Sequence, residues 1–202
     1  MNRFVLALAW ATTLGCSVLS SPPKPTFRYL TLSAVAAGPP AVAPRTSVTL
    51  EPIEMPGYLE GVDVISRRSN DEIERSPGDR WAEPLGSGLL RTLVADLDAG
   101  LAPRDIAVHA RVDGAAQLAI SVTIDRFELA PGGHAELVAR WTVRSLGGGL
   151  ARRGALRTQS PLSAQPVPGN DHVGPAAAAA LSRTLATLAD ALVAEVVATL
   201  AR

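Results

Sequence analysis

"AQLAISVTIDRFELAPGGHAELVARWTVRSL", residues 116–146, carries two long runs of alternating apolar and polar side chains on either side of Pro131, Gly132 and Gly133. Alternation with a period of two places one set of side chains on a buried face and the other toward water, and a proline-glycine break between two such runs predicts a β-hairpin. Leu118, Ile120, Val122 and Ile124 share a face in the first run, but Phe127 and Leu129 continue the apolar set one position out of phase. A single extra residue restores the phase, so a β-bulge is expected near Asp125 and Arg126. On the return strand Leu137, Ala139, Trp141 and Val143 fall on one face.

Outward from this hairpin, "LARRGALRTQSP" predicts one more strand, with its glycine and arginines counting against it. "IAVHAR" reads as a short strand. "VDVISRRSNDEIERSPGDR" begins as a strand through Val62, Val64 and Ile65, turns near Ser69 and Asn70, and resumes briefly over residues 72–75. "TSVTLEPIEMP" brings Val48, Leu50 and Ile53 to one face, and "FRYLTLSA" alternates Phe27, Tyr29 and Leu32 imperfectly with polar residues. The Pro/Gly-rich "AVAAGPPAVAPRT" between these two is a loop rather than a domain boundary.

Two segments have helical periodicity instead. In "WAEPLGSGLLRTLVADLDAGL" Leu85, Leu89, Leu93 and Leu97 recur every fourth residue, and Leu90, Val94 and Leu101 widen the stripe. The helix is expected over residues 83–99, with Pro84 in its first turn and Gly100 followed by Pro103 as its stop. The closing "PAAAAALSRTLATLADALVAEVVATLAR" spaces Leu181, Leu185, Leu188, Leu192, Val196 and Leu200 by three and four. Hairpin strands with two one-sided helices imply an α+β fold. Its sheet is expected to be mainly antiparallel, with a mixed sheet as the alternative, and covered on one face by two long amphipathic helices.

The chain of 202 residues suits one substantial core, and with only 4% aromatic residues that core must rest on Leu, Val, Ile and Ala. The formal net charge is zero, which leaves no field to hold a polyanion and argues against nucleic acid.

The N-terminus has its own logic. "MNRFVLALAWATTLGC" has a basic start at Arg3, an apolar run over residues 4–11 and small or apolar residues leading to Cys16, the layout of an export signal. The run is shorter than the ~20 residues that cross a bilayer. Cys16 is the only cysteine, so a disulfide within the chain is excluded. "SVLSSPPKPTF" after it is Ser- and Pro-rich and reads as an extended tether. "TLGC" resembles the lipobox of bacterial lipoproteins through Leu14, Gly15 and Cys16, with Thr13 where the pattern usually has leucine. The resemblance implies cleavage before Cys16 and several acyl chains on it, palmitate among them. Ser17, where an aspartate would favour inner-membrane retention, implies the outer membrane. The chain then divides into a signal peptide (1–15), a lipidated cysteine with its tether (16–26) and a single folded domain (27–202).

Signatures of catalysis are sparse. His109, His134 and His172 are widely separated and lack the carboxylate or cysteine spacing of a metal site. Ser87 lies between Gly86 and Gly88 but outside the G-x-S-x-G pattern. Asp71, Glu72 and Glu74, flanked by Arg67, Arg68, Arg75 and Arg80, suggest a solvated ion-pair network. Three consecutive glycines, Gly147, Gly148 and Gly149, read as a strand connector. Trp81, at a helix entrance, reads as a core residue. The pairs Arg67, Arg68 and Arg152, Arg153 could meet an acidic protein or lipid headgroups.

In "VISRRSNDEIERSPGDRWAEPLGSGLLRTLVADL" a strand carrying an arginine is followed by a short polar interval, and then tryptophan-alanine-x-proline-leucine opens a helix. Arg67 or Arg68, Trp81, Ala82, Pro84 and Leu85 thereby resemble the PqiC-like family, the auxiliary lipoproteins of ABC-type transport systems. The order of segments around the motif also agrees. The resemblance implies a non-catalytic lipoprotein without cofactors on the periplasmic face of the outer membrane. Its implied partner is an MCE-domain protein of a lipid transport system, and its implied assembly a homo-oligomeric ring. Two other roles fit an anchored chain: an envelope-assembly lipoprotein supporting another outer-membrane complex, and a serine hydrolase using Ser87.

Overall fold

A computed structural model describes residues 26–36, 38, 44–110, 116–149, 151–163 and 174–201. Cys16, the signal, the tether up to residue 25 and His172 lie outside the described residues. In chain order the elements are β1 (Arg28–Leu30), β2 (Thr46–Leu50), β3 (Asp63–Arg67), β4 (Ile73–Trp81), α1 (Leu85–Leu101), β5 (Ile106–His109), β6 (Leu118–Ala130), β7 (His134–Ser145), β8 (Ala151–Pro161) and α2 (Gly174–Leu200).

The fold is organised on β6. Along one edge β7 pairs with it antiparallel from Leu118↔Ser145 to Ala130↔His134, and the register shifts between Ile124 and Arg126, where the phase change of the sequence requires it. Leu118, Ile120, Val122, Ile124, Phe127 and Leu129 are consequently all buried. Gly132 and Gly133 turn the hairpin with positive φ (90° and 75°), a conformation that glycine adopts without a Cβ clash.

The other edge of β6 is shared. β2 pairs parallel with its start (Val48↔Leu118, Leu50↔Ile120), Glu54 forms a parallel bridge to Thr123, and β3 pairs parallel with its far end (Ser66↔Leu129). The chain from β2 to β3 thus follows β6 with its pairing interrupted around Pro52, which cannot donate to the ladder. β5 adds parallel to β2, and β1 parallel to β4. Antiparallel pairing is confined to β3–β4, β6–β7 and β7–β8, so the sheet is mixed rather than mainly antiparallel. Sequence alternation identifies strands but not which of two edges a returning segment takes.

Three boundaries depart from expectation. β4 does not stop at residue 75 but continues through Pro77 and Gly78 to Trp81. The ladder to β3 is irregular there, jumping from Ile65↔Arg75 to Asp63↔Arg80, so the proline costs no regular hydrogen bond. α1 starts two residues later than expected, with Pro84 outside it as an extended N-cap (φ −51°, ψ 132°). Gly100 does not stop α1. The helix runs into a 3-10 turn at Ala102–Arg104 and ends at Asp105, which is left-handed (φ 58°). Gly100 instead permits close helix approach, since a Cβ there would lie 2.8 Å from Cγ2 of Val193 in α2. In β1 Leu30 faces the core and Tyr29 points outward, and Leu32, just past the strand, is buried as well.

α1 buries Leu85, Leu89, Leu93, Leu97 and Leu101, and α2 buries Leu181, Leu185, Leu188, Leu192 and Val196. The helices pack on each other, α2 also lying against β7 and β8 and α1 against β5. α2 is long and apolar enough to cross a membrane by composition, yet much of its surface is buried within this core.

Candidate docking site

The junction of β4 and α1 fastens three segments together. The Trp81 side chain is buried, the backbone N–H of Trp81 donates to Val62 O (2.6 Å), and that of Ala82 donates to Leu30 O (2.8 Å). Pro84 has no N–H to lose, and the Leu85 N–H, an orphan donor at the helix start, bonds Gly61 O (2.9 Å). Glu83 receives Arg91 through Nε and Nη2, and the same Nη2 reaches Leu32 O. Trp81 and Leu85 therefore sit beneath the surface, and Pro84 stands exposed on it.

The two motif arginines part company. Arg68 is exposed and pairs with Glu74, as the solvated network predicts. Arg67 leaves that network, contrary to expectation, because it lies on the face where Glu128 of the neighbouring β6 is found. There it grips the wholly buried Glu128 through Nε and through Nη2 (3.1 Å). The Tyr58 hydroxyl donates to the same carboxylate (3.2 Å). Glu128 sits directly across the ladder from Glu136, which is also buried and is bound by Arg126, Arg157 and Gln159. Two facing carboxylates repel. The arginines make the arrangement tenable by charge-assisted hydrogen bonds. Burial pushes the Glu136 carboxyl upward, but Gln159, Arg157 and Arg126 outweigh it and hold the group below its ordinary range. The Arg67 guanidinium is held more basic than usual by its bond to Glu128, against burial. Burial and then the Glu128 charge raise the Tyr58 phenol.

Tyr58 belongs to a 3-10 turn at Gly57–Leu59, so the network anchors the strip that follows β2. Between this strip and the first turns of α1 opens a cleft of about 560 Å³. Ile53, Met55, Leu90 and Pro84 give it apolar walls, and Glu54 and Glu60 add carboxylates. A Cβ at Gly86 would come within 3.3 Å of Met55 Cε, so the glycine lets the methionine end lie close against the start of α1. Ser87 lies in this cleft, whose lining contains no histidine, lysine or arginine to serve it as a base. His109 is in β5 and His134 opens β7. Of the second arginine pair, Arg152 binds Glu195 of α2. Apolar walls with a few polar groups are the make-up of a binding site. Of this lining, the sequence singled out Pro84 as a motif residue and Ser87 as the candidate of the hydrolase alternative. It missed Tyr58, Glu128, Glu136 and Met55, which have no motif and meet only in the folded sheet.

Comparison with known proteins places these features in context. The model of the ABC-type transport auxiliary lipoprotein component family matches residues 29–193. None of the curated proteins matches the sequence. Among solved structures, an uncharacterized protein superposes with a TM-score of 0.65 at 20% identity, covering 83% of this chain and 99% of its own. A DUF330 protein from Xanthomonas campestris gives a TM-score of 0.56 at 20% identity, covering 84% and 90%. At these identities the structures establish a shared fold.

Proposed function

Because the chain belongs to the family of ABC-type transport auxiliary lipoprotein components, we propose that it is a non-catalytic subunit that docks an MCE-domain partner at the outer membrane of an intermembrane lipid transport system. The family match across residues 29–193 carries this reading. On it, residues 1–15 are removed, Cys16 is acylated and faces the periplasm from the outer membrane, residues 16–26 supply reach, and residues 27–202 form the docking body.

The cleft beside Pro84 is the proposed contact with the partner. Its apolar walls would receive aliphatic side chains, while Glu54 and Glu60 would favour a basic flank. The motif residues Arg67, Trp81 and Leu85 hold its walls, and Pro84 meets the partner directly. The body is proposed to assemble as a homo-oligomeric ring around the partner's end.

A photo-crosslinking residue at position 87 in living cells tests the assignment. The expected product joins this protein to an MCE-domain component. A well-expressed, membrane-associated protein that crosslinks to no transport component from this or any other surface position would refute the role.

A further inference from the structure

Three large hydrophobic side chains are exposed among the described residues, and two of them, Tyr29 (63%) and Val35 (57%), line the same groove. This groove of about 580 Å³ runs between β1 with the segment after it and the first turns of α2, and is separate from the Pro84 cleft. Its backbone is firmly held. Tyr29 is in register with Arg80 in the ladder to β4, and the Ser33 N–H donates to Ser182 Oγ (3.1 Å). The N–H groups of Val35 and Ala36 both donate to Oδ1 of the buried Asp96 (2.8 and 3.0 Å). At the head of α2 the buried Asp79 accepts the Gly174 N–H (3.1 Å) and pairs with Arg28 (3.1 Å). The two apolar side chains are therefore displayed from a fixed frame. Arg183, also in the groove wall, donates to Ser160 Oγ, Pro161 O and Ser163 Oγ, all neutral, and no carboxylate among the described residues neutralises it.

An amphipathic tyrosine, an aliphatic side chain and a guanidinium that no described carboxylate pairs with are groups that settle at a bilayer interface carrying anionic headgroups. The nearness of Cys16 favours this occupant over another protein. Ten residue steps separate Cys16 from Thr26, just ahead of β1, so the groove mouth is tethered within about 36 Å of an acylated cysteine.

We infer that this groove rests on the surface of an anionic phospholipid bilayer, with Tyr29 and Val35 in the interface and Arg183 on a headgroup phosphate, fixing which way the anchored body faces. The inference rests on acylation of Cys16 as proposed above.

The test uses the acylated full-length mature protein in vesicles of phosphatidylethanolamine and phosphatidylglycerol containing headgroup-quencher lipid. A fluorophore is attached at Val35→Cys or, as a distant reference on the outer side of β8, at Arg153→Cys. Quenching at position 35 is expected to exceed that at position 153 roughly fivefold, since interfacial side chains lie within several ångströms of the headgroups. It should fall when phosphatidylglycerol is omitted and when Tyr29→Ser is added. Equal quenching at both positions, in protein that floats with the vesicles and bears acyl mass on Cys16, overturns the inference and leaves the anchor intact. Protein that neither floats nor carries acyl mass removes the anchor and this inference together.

Discussion

Arg67 and Arg68 are adjacent in sequence, yet the side chain of the first is 12% exposed and that of the second 61%. Removing one partner of a buried ion pair strands the other charge in a poorly solvating environment, whereas an exposed pair contributes little. Arg67→Met is expected to cost about 3–5 kcal/mol. Arg68→Met should stay within about 0.5 kcal/mol of the parent. Urea unfolding of both variants measures the difference, and equal losses would contradict the assigned network. The distinction was not legible in the sequence, because the deciding partner, Glu128, is 61 residues away. Trp81 was legible, since a large ring where a strand meets a helix has little alternative to the core.

At the scale of elements, β8 shows how a residue that weakens a prediction can be the one that makes the element fit. Gly154 counts against a strand by propensity. In the fold it stands opposite Trp141, and a Cβ on it would lie 2.3 Å from Cζ2 of the indole, so glycine is the residue that lets this ring lie across the edge strand. Alanine would normally gain about 0.5–1 kcal/mol in a strand. Here Gly154→Ala is expected to destabilise by roughly 1–3 kcal/mol through overpacking, with a shift in tryptophan emission on the same samples. An alanine variant at least as stable as the parent would show that the ring moves aside freely. Gly100 has the same lesson for α1, where a residue expected to stop the helix instead lets α2 approach.

For the whole molecule, β6 is the common partner of β2, β3 and β7, and both helices share the core with the strands. Such a body has no seam across which one part could unfold alone. Unfolding is expected as a single transition, with tryptophan fluorescence and far-UV circular dichroism coinciding across the denaturant range. Two separated midpoints would divide the 27–202 body into independent units. The proposed assignment gives this body two working surfaces, the Pro84 cleft toward a partner and the Tyr29 groove toward lipid. Their separation on the surface lets one rigid subunit hold both.

Local patterns by themselves determined the β6–β7 hairpin with its bulge, the buried stripes of both helices, the α+β class and the motif from Trp81 to Leu85. Each depends on residues a few positions apart, where the period of the chain dictates which side chains share a face. Tertiary structure alone decided that the sheet is mixed, that β4 passes through Pro77, that Arg67 rather than Arg68 is buried, and that a cleft and an apolar groove open on the surface. Those outcomes depend on which edges and faces meet across long sequence separations. Periodicity carries no information about that choice, which is settled by how the main apolar faces are buried together and how the buried charged groups are bonded.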